Sequence, residues 1–137
     1  MTDDIFIWPD LAALLDDFAE YFEEIGQELQ IADADGMEAG FERARNAFNY
    51  IPEADAAHLA ALIFDGVATR HPLIDGNKRI AWLAMATFLD LNDVWFDAGE
   101  LDAAEMALAV VAREATVEDM AEFIRENTSI WPTDTLT

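Results

Sequence analysis

A chain of 137 residues with 53% hydrophobic content is long enough for one compact domain with a real core and too short for a second. It carries 29 acidic against 7 basic residues, a formal net charge of −22, which disfavours direct binding to nucleic acid or to anionic membranes, since most of the surface would repel both. Cysteine is absent, which excludes disulfides, thiolate metal sites and a cysteine nucleophile.

Met1-Thr2-Asp3-Asp4 is acidic where a secretory signal is basic. The longest apolar run, Ile80 to Leu89, is about half of the roughly 20 residues that a bilayer span needs. A cytoplasmic protein without a membrane partner is expected. The acid excess, with Lys78 as the only lysine, suits a high-salt habitat in which screening shortens self-repulsion. An ordinary acidic protein of GC-rich coding fits the same composition.

In chain order, Pro9 and Asp10 open a first helix that is expected to reach about Gln30, with Leu11, Leu14, Leu15, Phe18, Tyr21, Phe22 and Ile25 as its apolar stripe and Gly26 as a place where it can break. Asp33 to Gly36 reads as a turn, and Met37 to Phe48 as a short helix with Phe41, Ala44 and Phe48 on one face. Asn46 to Pro52 reads as a loop or flap, in which Phe48 and Tyr50 are either docking or core residues. Ala54 to Thr69 is apolar nearly all round, as in a helix buried among others. His58 lies within it without polar company and reads as structural. Pro72 disfavours helical geometry at His71 and so ends this helix.

A second buried helix is predicted from about Gly76 to Leu91, stopped by Asn92 and Asp93. Asp97-Ala98-Gly99-Glu100 has capping-box spacing and predicts a helix from Ala98 to about Arg113. Thr116-Val117-Glu118-Asp119 is a weaker form of the same signal and opens the last helix, to about Asn127; the residues after it are expected to fray. The one candidate for strand pairing is near Val94 to Phe96. The expectation is a single all-α bundle over residues 1–137, with its core at about 10–127.

The stretch His71-Pro72-Leu73-Ile74-Asp75-Gly76-Asn77-Lys78-Arg79 stands apart from this pattern. Three of the seven basic residues, Arg70, Lys78 and Arg79, lie within ten positions here, which points to an anionic ligand. At a helix start, Gly76, Asn77 and Lys78 can present backbone N–H donors to a phosphate, and glycine permits its close approach. Arg79 can add a fork of donors and Lys78 a movable charge. Asp75 can hold magnesium against phosphate oxygens, and His71 is the residue type best suited to take a proton from a hydroxyl near neutral pH. Together they describe phosphoryl or nucleotidyl transfer. Singly, each has a plainer reading: a loop histidine, an N-cap aspartate, a surface ion-pair arginine.

The same stretch resembles the signature of the Fic/Doc superfamily, H-x-F-x-[DE]-G-N-x-R, and within it the Doc (death-on-curing) branch, which has lysine between the asparagine and the arginine. His71, Leu73, Asp75, Gly76, Asn77, Lys78 and Arg79 carry the match, and the flanking segments from Met37 to Asn127 follow Doc proteins in order and spacing. The resemblance implies about six helices with the loop at the start of a central buried helix. It implies His71 as general base, Asp75 as Mg2+ ligand, Gly76, Asn77 and Arg79 as phosphate binders, and ATP as co-substrate. A glycine in place of Lys78 goes with AMP transfer; the lysine goes with transfer of the γ-phosphate to elongation factor Tu by a toxin that an antitoxin controls. AMP transfer, and a non-catalytic module that keeps the fold, are the alternatives.

Two positions depart from the pattern. Leu73 replaces phenylalanine as the loop's apolar anchor, and Arg70 stands directly before His71, where Doc-like loops carry an arginine two positions before it. Arg70 either reaches the phosphates by another path or pairs with a surface acid. No serine or threonine stands four residues before Glu126-Asn127, so the built-in inhibitory motif of some Fic enzymes is missing and inhibition is expected from a second chain, by a helix in a groove beside the loop.

Overall fold

A computed structural model describes residues 6–28, 30–31, 34–51, 53–70 and 77–130. These form six helices and one short ribbon, in the order α1 (Leu11–Glu24), α2 (Ala34–Tyr50), α3 (Ala56–Arg70), α4 (Asn77–Leu91), β1 (Val94–Phe96), α5 (Glu100–Val111), α6 (Val117–Glu126) and β2 (Thr128–Ile130). The architecture is the expected all-α one.

α3 is the axis of the molecule. Every residue from 59 to 68 is buried, and α2, α4 and α6 pack around it. The α2 contact is very close: a Cβ on Gly40 would lie 2.8 Å from the backbone carbon of Gly66 and the nitrogen of Val67. Two facing glycines thus let the helix backbones meet, with Met37, Phe41 and Ala44 buried beside the crossing. α4 turns Ile80, Ala81, Ala84, Met85, Phe88 and Leu89 to the core and leaves Trp82 and Leu83 half-buried on its other side.

α1 starts where its sequence indicates, with the Asp10 carboxylate accepting from the Ala13 N–H at 3.1 Å. It stops at Glu24, short of the expected Gln30. Gly26 adopts φ +78°, its N–H donates to the Glu23 carbonyl, and the Gln27 N–H donates to the Phe22 carbonyl at 2.7 Å. This pair of bonds is the Schellman ending, for which glycine has no steric penalty. Leu14, Phe18 and Phe22 are the buried stripe, while Ile25, expected on it, is 43% exposed.

α2 is longer at both ends than expected. Asn46 to Tyr50, read as a loop, is its last turn, and the chain bends only after the Ile51 N–H donates to the Ala47 carbonyl. Phe48 is half-buried against Phe6, whereas Tyr50 is 85% exposed and is no core residue. Asp55 caps α3, accepting from the His58 N–H at 2.9 Å, so the helix starts at Ala56 instead of Ala54.

The two capping signals also rank the other way in the structure. The Asp97 N–H donates to the Asn127 carbonyl and extends the ribbon, so no box forms there; α5 starts at Glu100 behind Gly99, without a side-chain cap, and ends at Val111. Thr116 and Asp119 form the complete reciprocal box at 3.0 and 2.9 Å. Thr128 to Ile130, expected to fray, pairs antiparallel with β1 in the register Val94↔Ile130, Trp95↔Ser129, Phe96↔Thr128. Asp93, at φ +61°, turns the chain into β1. The Asn92 side chain binds both the N–H and the carbonyl of Ile7, and thereby fixes a leading segment whose Phe6 and Trp8 rings pack on Phe88. Among the described residues, no helix is long and apolar enough to cross a membrane.

Candidate active site

α3 ends at Arg70 and α4 begins at Asn77, and the two helices pack together. His71, Leu73, Asp75 and Gly76, and with them the expected general base, loop anchor, metal ligand and first phosphate donor, lie outside the described residues, as does the side chain of Arg70. The site is therefore built here from Asn77, Lys78 and Arg79, which form the first turn of α4 as the sequence predicts.

These three residues border a groove of about 830 Å³. One wall is the outer side of α4, with Trp82, Leu83 and Ala86; the other is α5, with Ala103, Ala104, Ala107, Leu108 and Val111; Phe96 and Asp97 of the ribbon close one side. Trp82 and Phe96, which line the groove, belong to a chain of ring contacts: Trp82 meets Phe64 edge-on at 6.0 Å and Phe96 at 5.6 Å, and Phe96 meets Phe123 at 6.2 Å. α5 buries only Ala107 and Val110; Leu108, which lines the groove, is 55% exposed, and Leu101, seven residues earlier and outside the lining, is 72% exposed.

The distribution of charge sets this helix start apart. Four of the seven cations are neutralised elsewhere. Arg43 and Arg113 donate to the two oxygens of Asp65 at 2.6 and 2.7 Å. Arg45 pairs with Glu42 at 2.9 Å, and Arg125 pairs with Asp55, Glu118 and Glu122. Lys78 and Arg79 are exposed and pair with no carboxylate among the described residues. Arg79 instead lies with its Cζ 5.8 Å from the centre of the Phe22 ring and donates to Gln27 Oε1 at 3.4 Å. In a chain of net charge −22, these two cations without a carboxylate partner among the described residues stand at the positive end of a helix dipole, beside a groove that Asp97 and Glu100 also line.

Three features were not read from the sequence. Asp65 is 3% exposed and joins α2, α3 and the turn after α5; its signal was a lone aspartate inside an apolar helix. The α5 wall was hidden because exposed leucines look like core residues in a sequence. His58, expected to lack polar company, has Nδ1 3.5 Å from Glu118 Oε1, beside the Asp55 and Arg125 pair. There, the Arg125 guanidinium holds the Asp55 carboxyl below its ordinary range, and the three carboxylates raise Arg125.

A sequence profile described as the Fic/DOC family matches residues 8–89, more than half of the chain, from the segment before α1 almost to the end of α4. The chain is also similar to a protein named Toxin Doc from Mycolicibacterium smegmatis, with 41% identity over 64 residues. That alignment covers 45% of this chain and 49% of the relative, so it spans about half the length of that protein. The α5 wall and the ribbon lie beyond the profile match.

Proposed function

The chain belongs to the Fic/DOC family, and from that premise we propose that it is the toxin of a toxin–antitoxin pair, a Doc-type kinase that moves the γ-phosphate of ATP to a hydroxyl of a translation factor. The factor we put forward is elongation factor Tu, whose modification would arrest translation. We take residues 1–137 as one catalytic domain. The observation that carries this reading is the pair of cations Lys78 and Arg79, which meet no carboxylate among the described residues, lie in the first turn of α4 directly after the His71 to Gly76 run in the sequence, and border an open groove.

In this mechanism the target oxygen attacks the γ-phosphorus in line. An O–P bond forms as the bond from the γ-phosphorus to the β,γ-bridging oxygen breaks, ADP leaves, and the hydroxyl proton passes to His71. The N–H groups of Gly76 and Asn77 and the fork of Arg79 bind the phosphate oxygens, and Lys78 adds charge; Arg70, directly before His71 in the sequence, is assigned to the same phosphate chain. Magnesium that arrives with a nucleotide needs only one or two carboxylates, so Asp75 would hold it; when bound, it neutralises phosphate charge. Exposed Tyr50 and Ile51, at the end of α2, supply an edge for target docking. The apolar α5 wall, with exposed Leu108, suits an antitoxin helix laid along the groove.

The test is intact-mass analysis of elongation factor Tu from the same source after incubation with this protein, ATP and magnesium. A gain of about 80 Da indicates phosphate and a gain of about 329 Da indicates AMP, two outcomes of the same positioning chemistry. No gain by the factor would remove it as the substrate.

A further inference from the structure

Gln27 is not part of the loop, yet it is the side chain that meets Arg79. Its position follows from local structure. Gly26 ends α1 with φ +78°, and the Gln27 N–H closes the turn on the Phe22 carbonyl at 2.7 Å, next to the ring over which Arg79 lies. Phe22 is 2% exposed, so the ring is fixed in the core, and the turn that carries exposed Gln27 is tied to it through the Phe22 carbonyl. A guanidinium has only donors, so the amide must present its oxygen to Arg79, as it does at 3.4 Å. The choice of residue matters in this setting. The chain has 29 acids and two glutamines, and Gln27 is flanked by Glu23, Glu24 and Glu28. Arg43, Arg45, Arg113 and Arg125 each meet a carboxylate.

We propose that Gln27 is a positioning residue that orients the Arg79 guanidinium through a neutral acceptor and so leaves its full charge for a polyphosphate. This rests on the reading of Arg79 as a phosphate ligand. A carboxylate in the same place would hold the guanidinium as well, but it would cancel the charge and repel the phosphates.

The experiment is calorimetric titration of MgATP and of adenosine into the wild-type chain and into Gln27→Glu, Gln27→Ala and Gln30→Glu, with thermal midpoints recorded alongside. Gln27→Glu should weaken MgATP by about tenfold, the loss of one charge-assisted contact, and leave adenosine unchanged. Gln27→Ala frees the guanidinium but keeps its charge, and should weaken MgATP by about threefold or less. Gln30→Glu adds the same charge on an exposed residue nearby and should change it by less than about twofold. Wild-type affinity in Gln27→Glu, an equal loss in Gln30→Glu, or an equal loss in Gln27→Ala would each overturn the proposal. A wild-type chain that binds adenosine but gains nothing from the phosphates would overturn the underlying reading of Arg79, and the proposal with it.

Discussion

Asp65 and His71 set two different demands on single residues. Asp65 is nine-tenths buried and more, and each of its oxygens accepts from an arginine, so neither oxygen of the buried carboxyl lacks a partner. Asp65→Ala should lower unfolding stability by about 2 kcal/mol, short of the roughly 3–5 kcal/mol for a fully enclosed pair, because Arg43 and Arg113 keep some access to water. Chemical denaturation would measure it, and a change below experimental error would show that the clamp is dispensable. His71, as the proposed base, should matter to chemistry alone. His71→Ala should abolish transfer while nucleotide affinity and melting temperature stay near wild type, and retained turnover would remove the assignment. The place of Lys78 and Arg79 in the first turn of α4 was legible, and their scarcity among seven cations in 137 residues singled them out. The contact of Gln27 with Arg79 was not, because the two lie 52 positions apart.

At the scale of elements, two joints hold α3. The first is steric. Gly40→Ala would place a methyl group 2.8 Å from the α3 backbone, and a backbone cannot swing aside as a side chain can. A cost of about 2–3 kcal/mol is expected, read as a lower denaturation midpoint, with Gly66→Ala behaving alike because its own Cβ would lie 2.7 Å from the Gly40 carbonyl oxygen. The second joint is electrostatic. Asp55 caps α3 and takes two donors from Arg125 of α6, and this holds its carboxyl below the ordinary value. A depressed carboxyl stabilises the fold at pH above its unfolded value and loses that contribution as pH falls through the folded one. Asp55→Asn keeps the cap and removes the charge. Its deficit against wild type should therefore be present at pH 7 and shrink in acid; a deficit independent of pH would assign the effect to the cap alone. The capping signals teach the limit of local patterns. Thr116 and Asp119 lie in a free turn and form their box, whereas Asp97 is drawn into the ribbon by Asn127, a partner 30 residues away.

Over the whole molecule, a net charge of −22 on one small domain opposes the compact state. Salt shortens the reach of that repulsion to about 3 Å at 1 M, so the melting temperature should rise from low to molar sodium chloride; a flat or falling curve would argue that the acids are already locally balanced. The sequence by itself determined the helical class, the burial of α3 and the register of the loop signature, because these depend on periodicity and on residues adjacent in the chain. Tertiary structure alone decided the rest. The open α5 wall, the ribbon made by Thr128 to Ile130, the clamp on Asp65 and the neutral contact on Arg79 all join residues distant in sequence. Whether a leucine is core or surface, and whether a cation is neutralised or left for a ligand, depends on which partner the packing brings to it.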